Sequence, residues 1–335
     1  MKVVVVGAGS WGTTVAALIG HKQPVTLWSR RTALAEVINA TAENPDYLPQ
    51  CRLPEGVAAT SDLEAAVEAA DVIVMGVPSH GYREVLASCA THIAPSTPIL
   101  SLSKGIEQGS LMRMSEVTAS VLPGHAVDRI GVLTGPNLAR EVMTGQPAAS
   151  VVAMADLDIA RELQTLLMSR TFRVYTNQDV VGCEAAGALK NVMAIAAGMA
   201  NGLGFGDNTK ATLITRALAE LTRLGVAIGG SVLTFAGLAG MGDLIATCMS
   251  SQSRNQRVGF GLGQGRRLDD IVAEMNMVAE GVKSTRGVLD LATRHGVEMP
   301  IAEQVGLVLY ENTPAAAAVA ALMGREAKAE MEGIG

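Results

Sequence analysis

The chain has 335 residues, 49% of them apolar and only 3% aromatic, with a formal net charge of −6. At about 150 residues per domain this length predicts two domains, with cores built from Ala, Val, Leu, Ile and Met in the manner of helix-rich α/β enzymes. The negative charge excludes nucleic acid and anionic membranes as general partners.

An apolar run, Val3-Val4-Val5-Val6, leads straight into Gly7-Ala8-Gly9-Ser10-Trp11-Gly12 and a helical stretch over 13–19. A G-x-G-x-x-G between strand and helix predicts a dinucleotide pocket. Gly7 permits the tight turn, Gly9 lets a pyrophosphate approach the backbone, and Gly12 lets helix and strand pack closely. The helix N-terminus turns free N–H groups and the positive dipole end toward the phosphates. The competing reading is a glycine-rich turn without a ligand.

The second strand, 25–28, is followed by Ser29-Arg30-Arg31. NAD-binding chains place an acid there, about 20 residues after the fingerprint, against the ribose 2′-hydroxyl. Here two guanidiniums stand instead, and their planar forks suit a 2′-phosphate. NADP(H) is therefore the predicted cofactor, with NAD(H) as the alternative; the competing reading is a solvated Arg pair.

A helical segment follows over 32–40, then a loop through Asn44-Pro45-Asp46-Tyr47-Leu48-Pro49, a short strand at 57–59, a helix over 62–69 and an apolar strand at 72–75. Further strands are expected at 99–102, 130–133, 149–154 and 172–175. Short apolar runs alternating with helical patterns imply a parallel sheet with helices on both faces. Ligands gather at the carboxyl ends of such strands, which makes Val77-Pro78-Ser79, Ser103-Lys104-Gly105 and Thr134-Gly135-Pro136-Asn137 site candidates.

From about Asp179 the strands give way to Ala-, Gly- and Leu-rich helical patterns. The expected division is a dinucleotide-binding domain over 1–180 and an all-helical substrate domain over 181–335. The charge-free stretch Leu224 to Gly242 is nearly long enough to span a bilayer, but its glycines favour helix, buried turn and second helix in a soluble domain. After Pro314 a helix is expected over 315–321, with a fraying charged tail over 325–332. Cys51, Cys89, Cys183 and Cys248 lie far apart without a C-x-x-C, and the five histidines lack metal-ligand spacing. Buried reduced thiols and no metal are expected. The first strand occupies the N-terminus, leaving no room for a signal peptide, which favours the cytoplasm.

In the helical half, Lys190 is isolated in an apolar context. It either snorkels to water or sits in a closed site where it can exchange a proton. Asp243, in Gly240-Met241-Gly242-Asp243, is a second candidate, with helix N-cap as its structural alternative. Ser253-Arg254-Asn255 at a helix start suits a small phosphate, or is an ordinary cap beside an exposed Arg.

With these residues the chain resembles, nearly end to end, the bacterial NAD(P)-dependent glycerol-3-phosphate dehydrogenase family. Further blocks that carry the resemblance are the segment 44–49, Lys104-Gly105-Ile106-Glu107, Gly135-Pro136-Asn137-Leu138-Ala139, Gly187-Ala188-Leu189-Lys190-Asn191-Val192, Leu213-Ile214-Thr215-Arg216 and Ala279-Glu280-Gly281. The resemblance implies a Rossmann-type doubly wound parallel sheet followed by an all-helical C-terminal domain like that of 6-phosphogluconate dehydrogenase. It also implies reversible hydride transfer between dihydroxyacetone phosphate and sn-glycerol 3-phosphate, serving phospholipid synthesis, in a homodimer without integral membrane association.

By the same resemblance, Gly7, Gly9, Ser10, Trp11, Gly12, Arg30, Arg31, Lys104, Ala139, Arg254, Val278 and Glu280 match cofactor positions. Lys104, Gly135, Asn137, Lys190, Asp243, Ser253, Arg254 and Asn255 match substrate positions. Lys190 matches the catalytic acid/base, with Asp243 in the catalytic set. Two residues depart from the family: Asn137, where Ser is frequent, and Met241, where Leu is common; Asn still hydrogen-bonds and Met keeps the volume. The alternatives are a β-hydroxyacid or 6-phosphogluconate type of dehydrogenase, which must hold a carboxylate, and a catalytically silent NADP-sensing protein.

Overall fold

The computed structural model describes residues 1–275, 279–327, 329, 330 and 333. The chain divides into two compact units, Met1–Lys104 with Met114–Val180 and Gly105–Arg113 with Val181–Gly335. The expected single cut near residue 180 therefore misses an excursion. Segment 105–113 joins the second unit because Ile106 and Leu111 are buried in that unit's apolar core.

The first unit carries β1 (Val3–Val6), β2 (Val25–Trp28), β3 (Glu43–Asn44), β4 (Leu48–Arg52), β5 (Val57–Thr60), β6 (Val72–Met75), β7 (Ile99–Ser101), β8 (Ile130–Thr134), β9 (Ala148–Ala153) and β10 (Phe172–Asn177). Eight of them form one sheet in the order β10-β9-β8-β7-β6-β1-β2-β5. All residues of β1 and β6 are buried, which explains why they read as unbroken apolar runs rather than as alternating patterns. The chain winds one way from β1 through β2 to β5, then returns to place β6 on the other side of β1. This reversal is the switch point where such sheets open a ligand crevice. The fingerprint glycines leave β1 there.

Two expectations for this unit need correction. The sheet is not wholly parallel, because β8 and β9 pair antiparallel while β9 and β10 are parallel to each other. The β8–β9 connection holds a helix of only 5 residues, Ala139–Met143. The expected loop over 44–49 is in fact the turn of a β3–β4 hairpin, whose pattern is hard to read because only Leu48 and Cys51 of β4 are buried and Pro49 interrupts it.

The second unit is helical. Val180–Gly202 is long and apolar enough to cross a bilayer, but 89% of its most apolar window is buried and its side chains form the unit's core. The apolar stretch Val232–Met249 passes the same test with 39% buried. It is broken into the short helix Val232–Phe235, the π-helix Leu238–Gly242 and the helix Asp243–Met249. The helix Asp207–Ala227 and the turn at Gly229 and Gly230 precede it, giving the helix, turn and helix expected for 224–242, but the turn is not buried: Gly229 is exposed and Gly230 half-buried.

Close backbone packing fixes the site-bearing helices. A Cβ on Gly198 would lie 2.1 Å from Gln256 O, and one on Gly259 would lie 2.0 Å from Ile195 O. The helices Val180–Gly202 and Arg254–Gly263 thus touch backbone to backbone, a distance no larger residue allows. Elsewhere in this unit Glu220 accepts from the N–H groups of Ile301 (2.8 Å) and Ala302 (3.4 Å), capping the helix Pro300–Glu311.

Candidate active site

Two groups of candidate residues form, one in each unit. In the first, Gly7 has φ +121°, a conformation open mainly to glycine, and a Cβ there would strike Gly76 O at 2.6 Å. A Cβ on Gly12 would lie 2.0 Å from Gly7 O, so the helix Ser10–Gly20 packs directly on the β1 turn. Gly9 has nothing within 4 Å of its Cβ position, and this helix start has no side-chain cap and no acid in its first turn. A helix start without a side-chain cap, beside open space, fits a pyrophosphate. The indole Nε1 of Trp11 is buried without a hydrogen-bond partner among the described residues, a donor suited to a bound acceptor.

The β3–β4 hairpin braces this turn. Ser10 Oγ donates to Tyr47 O (3.0 Å), while buried Asn44 donates to Ala8 O and Thr13 Oγ1, both at 2.8 Å. Arg30 and Arg31 are exposed after β2. Arg31 pairs with Asp46 at 2.5 Å and lies 6.0 Å from the Tyr47 ring centroid. The hydrogen bond to Asp46 raises the Arg31 pKa further above its ordinary value. The position after β2 lacks an acid, but the hairpin brings one to Arg31 from 15 residues away in sequence.

The remaining candidates of this unit sit at the carboxyl ends of β7 and β8. Lys104 Nζ donates to Gly135 O at 3.2 Å. Asn137 Nδ2 donates to Ser150 Oγ (2.9 Å), which donates to Thr134 O (2.8 Å). Asn137 Oδ1 is buried without a partner among the described residues, leaving an acceptor for a hydroxyl. Ala139 O accepts from Thr14 Oγ1 at 3.4 Å, tying this end to the fingerprint helix.

In the second unit, Lys190 is 5% exposed and Asp243 1%, so Lys190 does not snorkel. Its Nζ donates to Asp243 Oδ1 (2.6 Å) and Thr247 Oγ1 (2.5 Å), and Thr247 Oγ1 donates to Asp243 O (2.6 Å). Gly242, not Asp243, is the N-cap of the helix Asp243–Met249, so the carboxylate serves the lysine. The π-helix Leu238–Gly242 feeds Asp243 into this position; such bulges often accompany functional sites.

Ser253 Oγ accepts from Gln256 N at 3.3 Å and caps the helix Arg254–Gly263, where Arg254 is exposed. Asn255 Nδ2 donates to Asn191 Oδ1 (3.0 Å), and Asn255 Oδ1 accepts from Gly281 N (2.9 Å). The residues after Lys190, beside Arg254 and after Glu280 are thus bonded together. Glu280 opens the helix Glu280–His295; Val278 lies outside the described residues. Burial pushes the neighbouring Cys248 thiol up to about 12, with Lys190 opposing the push and Asp243 adding to it, which disfavours the thiolate.

Residues 2–160 match the family described as NAD-dependent glycerol-3-phosphate dehydrogenase N-terminus, and residues 179–320 match its C-terminus counterpart. The chain belongs to the NAD-dependent glycerol-3-phosphate dehydrogenase family. It is 58% identical over 305 residues to Glycerol-3-phosphate dehydrogenase [NAD(P)+] 2 of Sphingopyxis alaskensis, covering 91% of each chain. It is 52% identical to Glycerol-3-phosphate dehydrogenase [NAD(P)+] of Streptomyces coelicolor, covering 98% of each. The crystal structure of glycerol-3-phosphate dehydrogenase from Coxiella burnetii superposes with a TM-score of 0.91 at 38% identity, over 97% of this chain and 99% of that one.

Within this dehydrogenase fold, Thr247 and Asn191 are contacts that sequence reasoning assigned no role. Thr247 stands four residues after Asp243, on the same helix face, and Asn191 directly follows Lys190. The pairing of Asp46 with Arg31 has no such local signal. It depends on a hairpin that reads as a loop.

Proposed function

We propose that the protein catalyses the reversible NAD(P)H-dependent reduction of dihydroxyacetone phosphate to sn-glycerol 3-phosphate. The observation that carries this is the buried Lys190–Asp243–Thr247 cluster in a chain that also builds an open, uncapped dinucleotide turn. The nicotinamide cofactor supplies or accepts the hydride. Gly7, Gly9, Ser10, Trp11 and Gly12 would hold its pyrophosphate side, Arg30 and Arg31 a 2′-phosphate, and Ala139, Val278 and Glu280 further parts. NADP(H) is the preferred form on this reading.

Lys190 delivers a proton to the developing C2 alkoxide in reduction and takes the hydroxyl proton in oxidation. Asp243 and Thr247 hold its Nζ in place, so little reorientation accompanies the transfer. Lys104, Gly135 and Asn137 would serve the substrate, and Ser253, Arg254 and Asn255 would hold a phosphate at a helix start. We further place the enzyme in the cytoplasm as a homodimer, without nucleic acid or membrane partners, supplying phospholipid synthesis; the buried cysteines Cys51, Cys89, Cys183 and Cys248 suit a reducing compartment.

The test compares dihydroxyacetone phosphate, unphosphorylated dihydroxyacetone and 3-hydroxy or 2-keto carboxylates with wild type and Arg254→Ala. Wild type is expected to turn over only the phosphate ester efficiently. In Arg254→Ala the KM for it should rise by about tenfold or more, the loss of a charge-assisted hydrogen bond of about 1.5–3 kcal/mol. A wild-type preference for carboxylates would instead make this a β-hydroxyacid type of dehydrogenase.

A further inference from the structure

The segment 105–113 starts at the residue after Lys104 and closes on itself as a small strap. Ile106 and Arg113 form an antiparallel bridge, Glu107 N donates to Met112 O at 2.9 Å and Leu111 N to Glu107 O at 3.0 Å. Ser110 Oγ donates to Glu107 Oε2 at 2.5 Å and accepts from Met112 N at 3.2 Å. Leu111 holds φ +60°, an unusual conformation for a branched residue. It persists because the strap is fixed from several sides.

Each fixing point lies on a helix that carries a candidate site residue. Ile106 and Leu111 are buried in the second unit's core, against Gly287 of the helix Glu280–His295. Gln108 Nε2 donates to Lys283 O of that helix at 2.9 Å. At the strap's other end Arg113 Nη1 donates to Glu184 Oε2 at 2.8 Å, with the two side chains 14% and 5% exposed. Glu184 stands on Val180–Gly202, the helix of Lys190. A buried ion pair is a costly device, since desolvation offsets most of its attraction, and its best attested use is to specify one arrangement.

We propose that Arg113 and Glu184 are a positioning pair for the reaction: by locking the strap to the Lys190 helix they set where the chain presents Lys104 to substrate. The coupling runs through covalent continuity, Lys104 being bonded to Gly105 while its own Nζ holds Gly135 O. The pair touches no substrate. It acts through Lys104, and this role rests on the dehydrogenase function proposed above.

A double-mutant cycle tests it, with kcat, KM for dihydroxyacetone phosphate, NADPH dissociation constant and melting temperature measured on the full chain. Wild-type turnover comes first; its absence removes the functional reading, whatever the strap does. Glu184→Gln and Arg113→Gln are each expected to raise that KM by about fivefold or more, with NADPH affinity unchanged. In a Lys104→Ala background the same changes should add less than about twofold, because the group they position is gone. An unchanged KM in the single variants, or an equal effect with and without Lys104, overturns the proposal. Should the buried variants not fold, Gln108→Ala removes an exposed strap contact without stranding a charge. It must show the same dependence on Lys104, and an effect independent of Lys104 is again contrary to the proposal.

Discussion

Lys190 is held by two oxygens, one from Asp243 and one from Thr247, in a place water barely reaches. Removing it in Lys190→Ala should lower kcat by about 10²–10⁴, the usual worth of a positioned acid/base. NADPH affinity, measured by fluorescence titration, should stay near wild type, and a near-normal kcat would exclude the role. Lys190 is legible in the sequence because it is the one basic residue in a long, mostly apolar helix. Its partner Thr247 is not, because a threonine in a helix ordinarily bonds its own i−4 carbonyl, as Thr247 also does here. At the other end of the chemistry, Arg30 and Arg31 differ. Arg31 is engaged by Asp46, whereas Arg30 carries no ion pair among the described residues. Neutralising both should weaken NADPH by about tenfold or more, since hydrogen bonds to charged groups are worth about 1.5–3 kcal/mol each, and should affect NADH much less. Equal losses would mean the arginines support the fold instead of reading the phosphate.

Among the elements, the contact between the helices Asp207–Ala227 and Pro300–Glu311 carries its own pH dependence. Burial pushes the Glu220 carboxyl up from 4.5 to about 7, and Glu303 adds to that push; the Ile301 and Ala302 N–H groups and Arg223 pull the other way but do not win. The folded state therefore holds a proton that the unfolded state has lost, so stability falls as pH rises from about 4.5 through 7. Wild type should lose melting temperature between pH 5 and 8 relative to Glu220→Gln, which lacks this titration; parallel curves would contradict the assignment. Elements differ in how openly the sequence declares them. The strands β1, β2, β6 and β8 are short apolar runs bounded by glycine, proline or polar residues, and they form where such runs predict. The strand β9 forms where it is expected, but its reversed direction escapes the sequence because pairing direction is set by tertiary contacts, not by the strand's own residues; the β3–β4 hairpin escapes it because β4 is mostly exposed and holds a proline. Glu220 likewise reads as a surface acid on a mixed helix, since the N–H groups that justify its burial come from residues 301 and 302.

For the whole molecule, the sequence divides cleanly where composition changes, near residue 180, and misleads where it does not. The excursion 105–113 has no break in composition at either end, yet it belongs to the second unit. The fingerprint, the strand-end loops and the Lys190 and Asp243 blocks are all legible because each departs from its surroundings: glycines where side chains are expected, charges where none should be buried. How the residues within each block bond to one another becomes apparent only once the backbone is closed. The central claim is that these parts together reduce a phosphorylated ketone. Its most direct measurement follows NADPH oxidation by the full chain with dihydroxyacetone phosphate and identifies the product. NADPH should be consumed one for one with the sn-glycerol 3-phosphate formed; NADPH binding without turnover, or turnover only with carboxylate substrates, would rule out this reaction.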